Sequence, residues 1–548
     1  VIPTRFLIAA VLLVLGLPAQ PAELSSGPPL LNFDEIKQLY QDDDLPAPLR
    51  DKLRTLLTTP FVRNTAADSG IVPLKPSDPQ TGKMLRVVQW NIERGLEFDA
   101  VRLAFTDPKK FNALMEDKGS KADEDERAKI REQIAILEQA DLLVLNEVDW
   151  GVNRTLFRNV ADELAQALNM NYAYGVEFVE VDPITMGLDQ QVIVREVEDA
   201  YADPHDDREA MLAHVKEIMQ PDPARYHGMH GTAILSRYRL DNVKLMPFLI
   251  QGHDWYKDEK KHSAVAKAEG KVSAAVFKEQ LVRQVRRGGR MMLMADIADP
   301  DLPMGRVTVV ATHLEDVTSP DIRRKQLQEI LDKVDQIDHP VILAGDMNTS
   351  THTGVPISVT RALKERFGSG KWWAEEGATN AIKLATPLGW AYDLSLGLVG
   401  FARKVDDPTE KSIPLIGDNP EAKFFSTLES FRFDDDNKFD FRGDADHSAN
   451  GRGGRLANCD ERSVKGFEAT EELSRRFGPI GQYKLDWIFV KPARFSKFDS
   501  KEYSAFSCYH GRTLHALNHA IPDRISDHNP ITVDLPLADP RSLRAAGR

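Results

Sequence analysis

The chain is expected to fold as an α/β protein, and three observations predict it. From residue 84 onward, short apolar, β-branched runs alternate with stretches of helical periodicity. The runs 85–90, 141–145, 307–311 and 340–344 are nearly continuous in apolar residues, as strands covered on both faces are. The stretches between them bury one face at helical spacing: Ile130, Ile134 and Leu137 in one, Leu327, Ile330, Leu331 and Val334 in another. The second of these helices is expected over 320–335, behind a Ser319 cap with Pro320 in its first turn.

The N-terminus reads as a targeting segment. Arg5 precedes an apolar run over 6–17, and Pro18, Ala19, Gln20, Pro21 and Ala22 follow. A basic flank, a short apolar run and small residues predict a secretory signal peptide over 1–22, cleaved after Ala19 or Ala22. The run is well short of the ~20 residues a membrane span needs. The mature protein is therefore expected to be secreted or periplasmic, without a transmembrane span, and monomeric.

Residues 23–83 are expected to form a leader that packs on the main domain, with helices over 34–40 and 47–57 and an irregular stretch over 65–82. The main domain runs over 84–536, with insertions at about 184–225 and 350–480 and a tail at 537–548. The first insertion carries a charged helix around 206–219. The acidic run Asp434, Asp435, Asp436 lacks the ligand spacing of an EF-hand and reads as a solvated loop.

With 42% hydrophobic residues among 548, the chain can build a sizeable core. Its formal net charge of −14 gives little long-range attraction to polyphosphate, so tight nonspecific nucleic-acid binding is not expected. Two cysteines, Cys459 and Cys508, cannot make a thiolate zinc site. Pairing in an oxidising compartment and two free thiols are equally compatible with the sequence.

What the apolar runs carry at their ends points to function. Asn91 follows the run 85–90, and Asn146 and Glu147 follow 141–145. Thr312 and His313 follow 307–311, and Gly345, Asp346, Met347 and Asn348 follow 341–344. Asp486 instead opens the run 487–490, and Asp527 and His528 precede 531–535. If the first four strands run one way and the last two the other, all six ends meet at one edge. Asn91 and Glu147 offer hard oxygens to Mg²⁺ (Mn²⁺ as the alternative), which takes the rest of its shell from water and a substrate phosphate. His528 titrates near neutrality and can take a proton from water, with Asp486 orienting its imidazole. His313 and Asn348 are donors for phosphoryl oxygens, and Asp346 can position the nucleophile or bind metal.

The stretches Gln89–Trp90–Asn91, Leu145–Asn146–Glu147–Val148, Ala311–Thr312–His313–Leu314, Gly345–Asp346–Met347–Asn348, Leu485–Asp486–Trp487–Ile488 and Ser526–Asp527–His528–Asn529–Pro530 resemble, in order, the motif set of the endonuclease/exonuclease/phosphatase superfamily. Gly231–Thr232–Ala233–Ile234–Leu235–Ser236 resembles its strand after the first metal ligands. The resemblance implies a four-layer α/β/β/α sandwich of two packed mixed sheets. It implies Asn91 and Glu147 as metal ligands, Asp527 supporting metal or base, and His313 on the phosphate. His528 with Asp486, or else Asp346, would supply the base. The expected activity is metal-dependent hydrolysis of a small-molecule, lipid or nucleotide phosphate ester. A secreted nuclease and a non-catalytic binding protein on the same fold are the competing readings, and the complete motif set speaks against the latter.

Other features have plainer readings. Arg283, Arg286, Arg287 and Arg290 are expected on a solvated surface. Arg323 and Arg324, one turn past the His313 loop, could reach a phosphate, although such residues more often face solvent on a helix. His227 and His230 are expected at the surface or rim, and Trp255–Tyr256 and Trp372–Trp373 in core or rim packing.

Overall fold

The computed structural model describes residues 26–188, 219–261, 285–349, 421–463, 466–472, 482–493, 505–522 and 524–540, besides the single positions 191, 213 and 216. The signal segment, most of the charged stretch around 206–219, Arg283 and Trp372–Trp373 lie outside the described residues.

The helices that cover the sheets are α1 (Phe33–Gln41), α2 (Ala47–Thr58), α3 (Phe98–Thr106), α4 (Pro108–Asp117), α5 (Glu124–Leu137), α6 (Val160–Leu168), α7 (Pro320–Val334) and α8 (Ala422–Ser430). The strands are β1 (Phe61–Arg63), β2 (Ser77–Asp78), β3 (Gly82–Arg94), β4 (Leu142–Trp150), β5 (Asn171–Glu180), β6 (Met229–Ser236), β7 (Leu240–Pro247), β8 (Arg286–Gly288), β9 (Met291–Ala298), β10 (Arg306–His313) and β11 (Val341–Asp346). After two short ribbons, β12 (Arg462–Ser463) with β13 (Gly466–Phe467) and β14 (Glu471–Glu472) with β15 (Gln482–Tyr483), come β16 (Asp486–Lys491), β17 (Tyr509–Thr513) and β18 (Ile531–Pro536).

Two mixed sheets form. The first is ordered β1-β5-β6-β4-β3-β18-β17, with β2 on β3 and β8 on β5, and the second β16-β11-β10-β9-β7. They pack face to face. Leu85, Val87, Leu142, Val144 and Ile234 of the first meet Val309, Ala311, Ile342, Ala344, Ile488 and Val490 of the second in one core. The other face of the first sheet, with Val88, Trp90, Leu143 and Leu145, is covered by α1–α6. The other face of the second, with Val310, Leu343, Trp487 and Phe489, is covered by α7 and α8. The expected α/β/β/α sandwich is therefore the fold.

Strand directions place the six polar ends together. β3 and β4 are parallel, as are β10 and β11, while β18 runs antiparallel to β3 and β16 antiparallel to β11. Side-chain alternation then decides which residues face the gap between sheets. In β3, Leu85 and Val87 fill the gap, and Gln89 and Asn91 continue the same row. The same row in β4 runs Leu142, Val144, Asn146, in β10 Val309, Ala311, His313, and in β11 Ile342, Ala344, Asp346. In β16 it runs from Val490 and Ile488 back to Asp486. Each apolar row ends in a polar residue at the same mouth of the sandwich.

α7 buries Leu327, Ile330, Leu331 and Val334 as expected, although Ser319 makes no side-chain cap. α5 starts earlier than its apolar spacing suggested, at Glu124, because Asp123 and Glu126 form a capping box there. Residues 26–83 are woven in rather than laid on: β1 pairs with β5 and β2 with β3. Cys459 and Cys508 are joined in a disulfide, which settles the two readings of the cysteines.

Candidate active site

Asn146 ties the two sheets together at the mouth. Its amide nitrogen donates to Thr232 Oγ1 and to the Thr312 carbonyl, both at 3.0 Å. Its Oδ1 accepts from the Asp346 N–H at 2.9 Å and from Gln89 Nε2 at 3.1 Å. Gln89 also donates to Asp486 Oδ1 at 2.9 Å. All four amide capacities of a wholly buried Asn146 are thus used, which fixes Asp346 relative to β3 and β4.

Asp346 is where the polar groups converge. Its Oδ2 accepts from Asn91 Nδ2 at 3.1 Å and lies 3.5 Å from His313 Nε2 and 3.8 Å from His528 Nε2. His528 Nδ1 is 2.7 Å from Asp486 Oδ2, and Trp90 Nε1 donates to the His528 carbonyl at 2.8 Å. Gly345 before Asp346 has φ +148°, and a Cβ there would stand 1.8 Å from the Thr312 carbonyl, so glycine lets β11 close on β10.

Glu147 and Asn91 sit where the register slips between β3 and β4, with the bulge spanning Asn91/Arg94 on one strand. The matching slip between β4 and β6 leaves Glu147 at φ +51°, costly for a side chain other than glycine. The bulge turns the Glu147 carboxylate toward the mouth, where Asn91 Nδ2 reaches it at 3.3 Å. Asp527 is half-buried in the chain leading to β18, its N–H donating to Glu93 Oε2 at 2.9 Å.

The electrostatics follow from burial and proximity. Burial opposes a charge on His528, but Asp486 and Asp346 outweigh it and raise the imidazole well above its ordinary range. Burial would raise Asp486, yet the His528 charge holds it below the usual carboxylate value. Burial, together with Asp486, pushes Asp346 up to about 7. Burial and nearby cations lower His313 well below its ordinary value, so it is a neutral donor or acceptor.

A family model described as Endonuclease/Exonuclease/phosphatase family matches residues 88–528. The chain belongs to the endonuclease/exonuclease/phosphatase family. No curated protein matches it in sequence. Among solved structures it is similar to an endonuclease/exonuclease/phosphatase from Beutenbergia cavernae, at 16% identity over 83% of this chain and 72% of that one, TM-score 0.35. It is also similar to the human Nocturnin catalytic domain with bound sulfate, at 12% identity over 82% and 94%, TM-score 0.32. A mannosyl-6-phosphatase from Bacteroides thetaiotaomicron matches at 11% identity over 82% and 99%, TM-score 0.32.

Members of this family are hydrolases of phosphate esters and generally depend on a divalent metal. The donor set at the mouth fits a hard cation: the Glu147 and Asp346 carboxylates flank the Asn91 amide, and Asp527 is tied to the same bulge through Glu93. Asn91 turns its nitrogen to both carboxylates and its oxygen to the Glu93 N–H, so coordination through Asn91 requires its amide to rotate.

Of the predicted residues, Asn91, His313, Asp346, Asp486 and His528 meet directly, and Glu147 joins through Asn91. Asn348 sits against the same turn: its N–H donates to Asp346 Oδ1 at 2.9 Å, and its amide nitrogen donates to the Leu314 carbonyl at 2.9 Å and braces the His313 turn. Arg323 corrects the sequence reading. It is wholly buried on the inner face of α7 with its guanidinium on Glu421, so it reaches neither phosphate nor solvent. Arg324 pairs along the helix surface with Asp321 at 2.9 Å.

The expected solvated arginine surface is likewise corrected. Arg290 is buried on Glu177 at 2.8 Å and Asp316 at 3.2 Å, and Arg286 is buried 3.7 Å from Glu180. Arg287 lies over the Tyr256 ring and donates to the Leu39 and Asp42 carbonyls. His230 is also buried rather than at the rim, 2.9 Å from Asp149. Arginines spaced along an irregular segment and a short strand carry no periodicity that tells sheet interior from solvent. Trp255 and Tyr256 do pack inside, Trp255 donating to Glu315 at 3.2 Å.

Sequence reasoning missed Glu471 and gave Gln89 and Asn146 no role. The row argument finds Gln89 and Asn146, since each continues an apolar row. Glu471 lies inside the stretch read as an insertion, pairs backbone to backbone with His528, and burial pushes its carboxyl up to about 8. Nothing in its local sequence marks it.

Proposed function

We propose that the chain hydrolyses a phosphate ester with Mg²⁺ held by Glu147 and Asn91, with Mn²⁺ as its substitute, and with Asp346 and Asp527 in support. The observation that carries this reading is the His528–Asp486 pair, 2.7 Å apart, facing Asp346 beside the Asn91–Glu147 bulge. When bound, the cation polarises the phosphoryl group and offsets charge that develops on its oxygens. His528 is held by Asp486 through Nδ1, which leaves Nε2 for the substrate side. Water attacks phosphorus as the bond from phosphorus to the ester oxygen breaks. The water's proton passes to Asp346, and His528, kept charged by Asp486 and Asp346 with its Nε2 3.8 Å from Asp346, gives a proton to the departing oxygen. His313, neutral and fixed 3.5 Å from Asp346, donates to a phosphoryl oxygen.

A small or lipid-borne ester is favoured over nucleic acid. The net charge of −14 repels polyanions, and arginines near the mouth are engaged by buried carboxylates: Arg154 by Asp149 and Glu180, Arg290 by Glu177. The disulfide between Cys459 and Cys508 supports export to an oxidising compartment, as the N-terminal segment does.

The test is hydrolysis of bis-(p-nitrophenyl) phosphate and of plasmid DNA, with and without Mg²⁺, beside His528→Ala. Metal-dependent turnover of the small ester, lost in the variant, is the expected result. Efficient nicking of plasmid instead moves the nuclease reading forward, and failure to bind any divalent metal moves the binding-protein reading forward.

A further inference from the structure

A second cluster of ligand-type side chains stands beside the active site and is not used by the chemistry above. We propose that Glu472, His515 and His519 bind a divalent transition cation, Zn²⁺ foremost, which fastens the loop carrying Asp527 and His528. Glu472 Oε1 lies 3.1 Å from His515 Nε2, and its Oε2 lies 3.1 Å from His519 Nε2. One ligand atom from each residue falls within 4.8 Å of the other two.

The spacing follows from the backbone. His515 opens a short helix (His515–Asn518), and the His519 N–H donates to the His515 carbonyl at 3.1 Å, so the two imidazoles stand on one face four residues apart. Their rings stack with centroids 4.3 Å apart. Two imidazoles held this close repel if both are protonated, whereas as neutral ligands they form a chelate. In a tetrahedral site with bonds of about 2.1 Å, neighbouring ligand atoms stand about 3.4 Å apart. The 3.1 Å separations run to different oxygens of Glu472, and one atom from each of the three residues stands within 4.8 Å of the others, so the side chains draw together around the ion. Two imidazoles and one carboxylate select a borderline cation such as Zn²⁺ over Mg²⁺, which prefers oxygen alone.

Burial and outer contacts complete the site. Asn529 Nδ2 donates to Glu472 Oε1 at 2.9 Å and orients the carboxylate. The side chains of Glu472 and His519 are 10% and 14% exposed, while that of His515 is 56% exposed and leaves a path for entry.

The placement gives the ion a consequence. The Glu472 N–H donates to the Asp527 carbonyl at 3.0 Å, and the Asn529 N–H to the Thr470 carbonyl at 2.6 Å. On the other side, Asn518 accepts from the Ser526 N–H and donates to the Ser526 carbonyl and to Asn529. The active-site loop is therefore clasped between the Glu472 strand and the His515 helix, and a cation bound by both would lock the clasp.

The experiment measures zinc content after equilibrium dialysis and the zinc-induced shift in Tm. It uses the full chain, a His515→Asn/His519→Asn variant, and Glu147→Gln to remove the active-site ligand. Wild type and Glu147→Gln should each hold one tightly bound equivalent that the double asparagine variant lacks. Loss of outer contacts alone weakens metal sites by roughly 10–100-fold, so losing two ligands should weaken zinc by more than about a hundredfold. Co²⁺ in place of zinc should give tetrahedral absorption bands in the first two proteins and none in the third. Equal zinc stoichiometry in all three overturns the proposal, as does wild type that holds no zinc. Asparagine can still donate to Glu472, and His519→Gln alone replaces the double variant if that one does not fold.

Discussion

At the scale of single residues, Asn146 and Asp486 test different parts of the site. Asn146→Ala leaves the Asp346 N–H, Gln89 and Thr232 without their common partner at buried positions. Each buried donor or acceptor so orphaned costs about 1–3 kcal/mol, so urea unfolding should show a loss of roughly 3 kcal/mol or more. Activity should fall with it, because Asp346 is no longer held against β4. A stability loss under about 0.5 kcal/mol, typical of surface changes, would mean that water takes over these bonds. Asp486→Asn instead keeps the shape and removes the charge that orients and charges His528. Turnover should fall by about 10²–10⁴-fold with folding and metal binding kept, as expected for a lost acid–base partner. Asp182 is a further titrating group, just past the end of β5 and without a part in the proposed chemistry. Burial pushes its carboxyl up to about 7 against backbone donors such as the Ile184 N–H. A folded-state value above the unfolded one near 4 means that folding takes up a proton. Its contribution to stability is full below about pH 4 and is lost as pH rises through 7. Asp182→Asn should flatten the stability curve by about one proton in that window, and an unchanged slope in pH-dependent unfolding would show that Asp182 is ionised when folded.

At the scale of elements, most of the site was readable because it rides on strands. The runs ending in Asn91, Asn146, His313 and Asp346 are apolar on both faces, so their alternation is hidden, yet counting in twos from the polar end recovers the row that fills the sheet gap. Glu147 was readable as a motif residue, whereas the bulge that aims it was not, because a bulge is decided by pairing between strands. Arg290 and Arg286 were misjudged for a related reason: the carboxylates that bury them, Glu177 and Glu180, sit on another strand. The leader shows the same limit. Its helices were legible, whereas β1, three residues long, was not, although it closes the edge of the first sheet on β5. Phe61 in β1 lies edge-on to Trp150 at 4.7 Å, and Ile36, Leu39, Leu53 and Leu56 join the same core. Burial of such side chains contributes about 1.5–3 kcal/mol each, so the leader is part of the fold's stability. A chain shortened to begin at Gly82 should aggregate or unfold when produced alone. Recovery of a monomer with an unchanged unfolding midpoint would show that the leader is dispensable.

At the scale of the whole molecule, the stretch from 421 to 472 lies within the insertion expected at about 350–480, and its described residues pack into the fold. α8 packs on α7, Asp440 accepts from the Cys508 N–H, and Thr470 Oγ1 accepts from the Leu485 and Asp486 N–H groups beside the catalytic mouth. Beyond α8 this stretch carries no periodic signal, since irregular chain is held by individual hydrogen bonds rather than by a repeating face. The disulfide is the covalent tie in this region, joining Cys459 to Cys508 across a sequence separation of 49. Closing a loop of that length removes chain entropy from the unfolded state, for a stabilisation of about 4 kcal/mol on the loop-closure model. Reducing the bond in the folded protein should therefore lower the urea midpoint clearly. Because Asp440 contacts both Cys508 and the backbone of β16, whose first residue is Asp486, the loss should extend to activity at temperatures near the reduced protein's Tm. Protein made in a reducing compartment should show both deficits and regain stability and turnover together on oxidation. If the reduced and oxidised forms unfold at the same urea concentration, contacts such as the Asp440–Cys508 hydrogen bond hold the region by themselves, and the disulfide no longer supports the case for export.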